Sequence, residues 1–341
     1  MKSVTVAVTI VTFNSAQFIA RCLEHVFRQD YPLLNVIVID NASSDETPDI
    51  LRGFADRVRF VPNQENRGFA GGQNQAIALS DSDWVLVLNP DVVLNPSFVT
   101  KALQPAALDD RVGSVSGKLL RMQPAETLDS TGIYFTPSLR HFDRGSGEPD
   151  SDAYDHFEFV FGVTGAAALY RREMINDVAV NREFFDEQFF AYREDADLAW
   201  RAQLLGWKCL YVPDAVAYHV RKVLPTNRKS LPADINMHSV KNRFLMRIKN
   251  IDAGLYLRYF LPITLRDILV FGGCLLTETS SLRAFPIVLR TFPAMLRKRK
   301  EIMRRRRVDS RYMSAWFSNE PVSHPAPDID RVVGASGILS R

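Results

Sequence analysis

Over the first hundred residues, short β-branched apolar runs alternate with segments that are apolar at helical spacing. The runs are Val4–Val11, Val36–Ile39, Val58–Val61 and Val85–Leu88. Between the first two, Phe18, Cys22 and Val26 recur with Ile19, Leu23 and Phe27 as one helical stripe, and Asn14 or Ser15 can cap that helix. Asp45 can cap a second helix carrying Ile50, Leu51 and Phe54. Strands that alternate with helices imply a doubly wound, mostly parallel α/β sheet. Ligands of such sheets bind beyond the carboxyl ends of the strands. Asp40 ends the second run and Asn89-Pro90-Asp91 the fourth, so two carboxylates are expected at that rim.

Each of these groups has a plain structural reading beside a chemical one. Asp40 can close an Asx turn with Asn41 to Asp45, or accept hydrogen bonds from a pyrimidine imide or a ribose hydroxyl. Asp91 belongs to a Pro-Asp turn, yet suits a divalent cation that also grips a diphosphate. In Asn66-Arg67-Gly68-Phe69-Ala70-Gly71-Gly72-Gln73-Asn74, the glycines at a helix start could admit a diphosphate to the backbone and Arg67 could pair with it; a flexible turn explains them as well. Glu194 and Asp195 open an amphipathic helix carrying Leu198, Ala202 and Leu205. Acids in a first turn suit the helix dipole, and either could also serve as a general base. His219 closes a strand pair, Cys209–Val212 and Ala215–Val220; it is a structural histidine or, with Asp91, part of a mixed N/O site for Mg²⁺ or Mn²⁺. Neither GxGxxG after the first strand nor GxxxxGK[ST] occurs, which argues against a dinucleotide cofactor and a P-loop.

Residues 118 to 155 lose periodicity and are expected to form a long surface excursion able to move over a site. Beyond His219 the chain turns to basic helices, expected at 239–250, 256–278 and 283–307, and the tail after Asn319 is expected to be disordered. Residues 297 to 307 hold eight Arg or Lys and one Glu, so positive charge is concentrated there and nucleic-acid binding by the whole chain is not indicated. Basic amphipathic helices beside such a run suggest attachment to an anionic membrane surface, with a solvated basic tail as the alternative. The apolar stretch 259–276 is broken by Pro262 and Arg266-Asp267 and is not read as a membrane span. Cys22, Cys209 and Cys274 are far apart, as in a reduced cytoplasmic protein, and offer no metal-ligand spacing.

In order and spacing, VTFN, VIDNASSDET, ENRGFAGGQNQAI, LVLNPDV, VTGAAALYRRE and FFDEQFFAYREDADLAWRAQLLGWK with Tyr218-His219 resemble the inverting family 2 glycosyltransferases of the GT-A fold. The resemblance spans Val4 to His219 and is nearest to bacterial rhamnosyltransferase-like enzymes of cell-surface polysaccharide assembly. It implies a Rossmann-like GT-A domain over 1–235, with a nucleotide-sugar half (1–117) and an acceptor half (118–235). A basic membrane-associating helical region (236–318) and a tail (319–341) would follow. It implies a nucleotide-sugar donor, dTDP-L-rhamnose by preference, and a saccharide acceptor, which the basic C-terminal helices suggest is lipid-linked. The enzyme would be cytoplasmic and peripheral on the inner membrane face. By position, Asp195 would be the base with Glu194 beside it. Thr12, Asn14, Asp40, Asn41, Arg67, Gly68, Asn74, Asn89 and Asp91 would contact the donor, and Asp91 and His219 would hold Mg²⁺ or Mn²⁺. Asn89 stands where the family's DXD element has its first acid, and Gln203 to Trp207 lacks the arginine of the processive synthases' QxxRW, which speaks against repeated addition. A sugar-nucleotide-binding or scaffold protein that kept the fold without catalysis is the alternative.

Overall fold

The computed structural model describes residues 4–32, 34–221, 232–326 and 328–329. Strands β1 (Val6–Thr12), β2 (Leu34–Asp40), β3 (Arg59–Pro62) and β4 (Trp84–Leu88) alternate with helices α1 (Ile19–Val26), α2 (Thr47–Arg52) and α3 (Gly68–Ala78), as the apolar pattern implied. After β5 (Val92–Leu94), α4 (Phe98–Ala106) and β6 (Val112–Arg121) come the short strands β7 (Leu128–Ser130), β8 (Ile133–Phe135), β9 (His141–Asp143) and β10 (Glu158–Val160). Next are β11 (Ala167–Arg171), α5 (Arg172–Val178), α6 (Glu194–Leu204) and β12 (Lys208–His219). The C-terminal part contains α7 (Ala233–Asn250), α8 (Ala253–Arg258), α9 (Phe260–Leu276), α10 (Ala284–Arg305), α11 (Ser310–Ala315) and β13 (Ser323–Pro325).

The main sheet runs β13-β10-β12-β6-β11-β4-β1-β2-β3, with β5 added to β12 and β7 to β6. β3, β2, β1 and β4 are mutually parallel, as are β6 and β12, and antiparallel β11 joins the two groups. Side chains alternate across the sheet. Val6, Val8 and Ile10 face α1, α2 and α4, while Ala7, Val85 and Val87 face α3 and α6. That two-sided burial explains why these runs are apolar throughout.

Several expectations are corrected by tertiary context. α1 begins at Ile19 without a side-chain cap; Asn14 instead adopts φ 50° and the Ser15 carbonyl accepts from the Phe18 and Ile19 amides. The strand pair expected at 209–220 is one strand, β12, because Pro213 sits in a bulge between Val212 and Val216 instead of ending it. The excursion from 118 is ordered. Its first residues extend β6, and Leu128, Ile133 and Phe135 are buried. The helix expected at 256–278 is two, α8 and α9. Within the tail expected to be disordered, β13 pairs with β10; residues 330–341 lie outside the described residues.

The C-terminal helices share a core with the segment from β8 to α6: Leu245, Ile263, Met295, Ile302 and Phe317 pack with Phe135, Phe161 and Trp200. Five of the eight basic residues of the run are paired within the fold, while Arg297, Lys300 and Arg304 are exposed. Lys298 pairs with Glu183 and Asp186, Arg305 and Arg307 with Asp177, Arg306 with Asp252, and Arg299 donates to the carbonyls of Ile248 and Ile251. Among the described residues no single helix is long and apolar enough to cross a membrane; α9 and the segment through α10 meet at a 118° bend.

Candidate active site

The carboxyl ends of β1 and β2 form a polar floor. Asp40 is 2% exposed, and its carboxylate accepts from the Thr12 hydroxyl at 2.8 Å, the Ser43 hydroxyl at 2.6 Å and the Ser43 amide at 3.0 Å. The Asx turn and the rim carboxylate are thus one structure, in which the turn fixes the acid. Asn14 accepts from the Ser44 amide at 2.8 Å and completes the loop wall. Asn41 donates to the Gly68 carbonyl at 2.9 Å and accepts from Asn63 at 2.9 Å, tying β2 to the start of α3. Gly68 has φ 70°, and a Cβ there would come 2.4 Å from the Phe190 carbonyl oxygen, so this glycine lets α3 meet the loop before α6. Arg67 faces Glu187 at 3.6 Å, a half-exposed pair of little energetic weight. Asn74 brackets Phe185 with hydrogen bonds of 2.8 and 2.9 Å to its carbonyl and amide. Two of the asparagines singled out by sequence therefore have their amides engaged with the protein itself.

The second rim group lies at the end of β4. The Asn89 amide donates to the Ala166 carbonyl at 2.9 Å, and β5, immediately after Asp91, pairs His219 with Val92. That register brings His219 Nε2 to 3.4 Å from Asp91 Oδ1. On the other side His219 Nδ1 lies 2.7 Å from Asp129, a carboxylate that sequence reasoning did not find and that Arg221 also contacts at 3.1 Å. Burial alone would lower the imidazole pKa, but hydrogen bonds to Asp129 and Asp91 outweigh it and push the group up to about 9. A carboxylate that orients one ring nitrogen while the other faces a second acid is the arrangement common around metal-binding histidines. Among the described residues no third His, Cys, Asp or Glu completes a metal cluster. The pair therefore suits Mg²⁺ or Mn²⁺ that takes its remaining oxygens from a diphosphate or water.

The third group opens α6. Phe190, Tyr192 and Arg193 all have φ between 66° and 69°, a left-handed backbone that costs each non-glycine residue about 1 kcal/mol or more. The buried Asn242 of α7 holds this turn by donating to the carbonyls of Phe189, Ala191 and Tyr192 at 3.0, 2.9 and 2.7 Å. Asp195 emerges from it, accepting from the Gly165 amide at 3.0 Å and the Ala196 amide at 2.7 Å. Gly165 precedes Ala166, whose carbonyl binds Asn89, so Asp195 and the Asn-Pro-Asp corner lie across one peptide segment. Burial raises the Asp195 pKa against these amides, with Asp143 adding like-charge repulsion. Glu194 is 7% exposed, with Oε2 lacking a partner among the described residues; burial and then Asp195 push its pKa up to about 8. Of the adjacent acids, Asp195 is the more accessible.

The profile of Glycosyl transferase family 2 matches residues 7–178, half of the chain, covering the two rim acids and the β11 segment. The chain belongs to glycosyl transferase family 2. An N-acetylglucosaminyl-diphospho-decaprenol L-rhamnosyltransferase of Mycobacterium tuberculosis is 29% identical over 242 residues, 62% of this chain and 75% of that one. Among solved structures, mannosyltransferase PcManGT from Pyrobaculum calidifontis, in complex with GDP-Man and Mn²⁺, has a TM-score of 0.52 at 19% identity, covering 91% of this chain and 84% of that one. Staphylococcus aureus TarS 1-349 with UDP-GlcNAc has a TM-score of 0.55 at 14% identity, covering 87% and 82%. These structures share the GT-A fold with this glycosyltransferase.

In this family 2 enzyme the Gln203 to Trp207 element is built into the core. Gln203 donates to the Phe161 carbonyl at 2.9 Å and Trp207 to Asp177 at 2.7 Å. Between them Gly206 has φ 72°, and Arg111 donates to its carbonyl at 2.7 Å. Asp129, Asp143, Arg221 and Asn242 went unseen in the sequence. Each lies in a loop-like segment or a basic helix whose partner is distant along the chain.

Proposed function

We propose that this glycosyltransferase is an inverting enzyme that moves a sugar, best read as L-rhamnose from dTDP-rhamnose, onto a saccharide carried by a lipid. The observation that carries the proposal is the placement of Asp195 across one peptide segment from the Asn89-Pro90-Asp91 corner, with His219 closing the far side. In a single displacement, Asp195 removes the proton from an acceptor hydroxyl, whose oxygen attacks the anomeric carbon as the bond to the nucleoside diphosphate breaks. Glu194, protonated near neutrality, keeps a second negative charge away from the base. Asp40, oriented by Thr12 and Ser43, would take the base or ribose, with Asn14 and Asn41 shaping the pocket and Arg67, Gly68, Asn74 and Asn89 bordering it. Asp91 and His219 would hold Mg²⁺ or Mn²⁺. A divalent cation there would offset the charge of the leaving diphosphate. The rhamnosyl preference rests on the likeness to the mycobacterial L-rhamnosyltransferase. Single addition is supported by Gly206, which stands at the arginine position of QxxRW with a left-handed backbone that would strain any side chain there.

The acceptor lipid implies work at a membrane surface. Because much of the basic run is internally paired, the surface offered to a bilayer is instead the outer face of α9 and α10. Leu261, Leu265, Ile268, Leu269, Leu276 and Leu289 are 53–84% exposed there, with exposed Arg258, Arg290 and Arg297 nearby in sequence. Residues 1–235 would form the transferase proper and 236–318 its membrane-facing part. Donor hydrolysis screened across nucleotide sugars with Mg²⁺ or Mn²⁺ tests the reading. One sugar nucleotide should be consumed, and Asp195→Asn should slow it by roughly 10²–10⁴-fold while nucleotide binding persists. Unchanged hydrolysis in that variant would remove Asp195 as the base, and nucleotide binding with no hydrolysis in wild type would support the alternative, a protein that binds sugar nucleotides without turning them over.

A further inference from the structure

Four guanidinium groups meet where the β8–β9 turn abuts α7 and the first half of α9. Arg243 of α7 donates to the Ser138 carbonyl at 3.0 Å and reaches Asp267 at 3.3 Å, while Arg247 takes the other oxygen of the same acid. Burial, helped by Arg247 and Arg266 and opposed by Asp267, lowers Arg243 to about 10. Burial and the charge of Arg266 likewise lower Arg140. Arg140 lies 4.4 Å over the Phe142 ring with no acidic partner among the described residues. Among the described residues Asp267 is thus the one carboxylate paired with the cluster, and it meets only Arg243 and Arg247. The Nε atoms of Arg243, itself 4% exposed, and of Arg266 are buried with no hydrogen-bond partner among the described residues. Unmet cationic donors that repel one another are costly unless an anion joins them.

The cluster occupies a particular place. From Arg140 the chain runs through His141, 3.0 Å from Arg193, to Asp143, whose charge bears on Asp195. Three residues of strand span about 10 Å. On the other side, Arg266 is flanked on α9 by exposed Leu265, Ile268 and Leu269. General base, cations and apolar surface therefore follow one another, in the order of the hydroxyl, phosphate and hydrocarbon of a lipid-linked sugar. We propose that Arg140, Arg243, Arg247 and Arg266 form the subsite for the phosphate or diphosphate that joins acceptor sugar to lipid. The planar fork of arginine suits bidentate contact with phosphate oxygens. The inference rests on the transferase reading above, and it adds the acceptor's anionic linker as a recognised group.

Binding of farnesyl diphosphate to the full chain in detergent, by calorimetry, tests it without the acceptor sugar. Excess UDP, dTDP and GDP with Mg²⁺ keep the probe out of the donor site. Wild type should bind farnesyl diphosphate and not farnesol. Arg140→Ala and Arg266→Ala should each weaken binding at least about tenfold, and the lysine variants should recover part of it. Donor hydrolysis should be unchanged in all four variants, which separates this subsite from the transferase chemistry. Absence of farnesyl diphosphate binding in wild type, or equal binding by the alanine variants, would overturn the proposal even if hydrolysis is robust. Sedimentation with phosphatidylglycerol vesicles distinguishes the other source of phosphate. Variants that lose vesicle binding but keep farnesyl diphosphate binding would assign the arginines to bilayer headgroups instead.

Discussion

Glu194 and Asp195 are adjacent carboxylates for which we propose different chemical tasks, and their environments differ. Two backbone amides meet Asp195, whereas Glu194 is buried with one oxygen unpartnered. Glu194 has an unfolded-state value of 4.5 and a folded value of about 8. Below the lower value both states are protonated and nothing is lost. Between the two the folded state alone retains the proton, so stability contributed by this group falls as pH rises, levelling above about 8. Glu194→Gln should therefore be increasingly stabilised relative to wild type from pH 5 to 8, read as the difference in Tm, and a pH-independent difference would refute the assignment. The raised Asp195 pKa places the acid limb of kcat above the usual aspartate range, rising with pH as the base ionises. Asn242 acts through geometry: without its amide, three strained residues before α6 lose their restraint. Asn242→Ala is expected to lower kcat for donor hydrolysis about tenfold or more with little change in nucleotide affinity. A wild-type kcat in that variant would show that the turn holds itself.

The segment between β6 and β10 shows where sequence reading stops. β1 to β4 were legible because each run is long, apolar and bounded by turn residues. β7, β8 and β9 contain three residues each, too few for a period to show. Asp129 meets His219 ninety residues later, and that pairing follows from the sheet order, in which β7 lies beside β6 and β6 beside β12. The acids at 40, 91 and 195 were legible because a strand end or a helix start marks them locally. The histidine's orienting carboxylate has no such local mark. A prediction separates its role from bulk folding. Asp129→Asn should weaken Mn²⁺ affinity by about 10–100-fold, measured by titration in the presence of nucleoside diphosphate, while the apo protein keeps its circular dichroism spectrum. Unaltered Mn²⁺ affinity would remove His219 from the metal site.

At the scale of the whole molecule, the C-terminal helices are tied by ion pairs and a shared core to the residues before them. Lys249 of α7 is 1% exposed and lies 2.6 Å from Asp186 and 2.8 Å from Asp197 of α6. Lys298 of α10 reaches the same Asp186 at 2.7 Å. Burial would raise the Asp186 pKa, but the two lysines overcome it and hold the acid well below its ordinary range. One acid ahead of α6 is thus shared by two helices that sequence assigned to a membrane-facing region. Removing one partner leaves charge buried without compensation, a loss of about 3–5 kcal/mol for a buried pair. Lys298→Ala should accordingly lower Tm and donor hydrolysis together, in a single cooperative transition. The outer face behaves differently. Replacing Leu261, Leu265 and Ile268 with serine removes only exposed apolar surface, so vesicle co-sedimentation should fall while Tm and hydrolysis hold. If Lys298→Ala melted in two steps, with the α3–α6 half retaining wild-type Tm, the helices would be a separate unit and the acceptor site would have to be built without them.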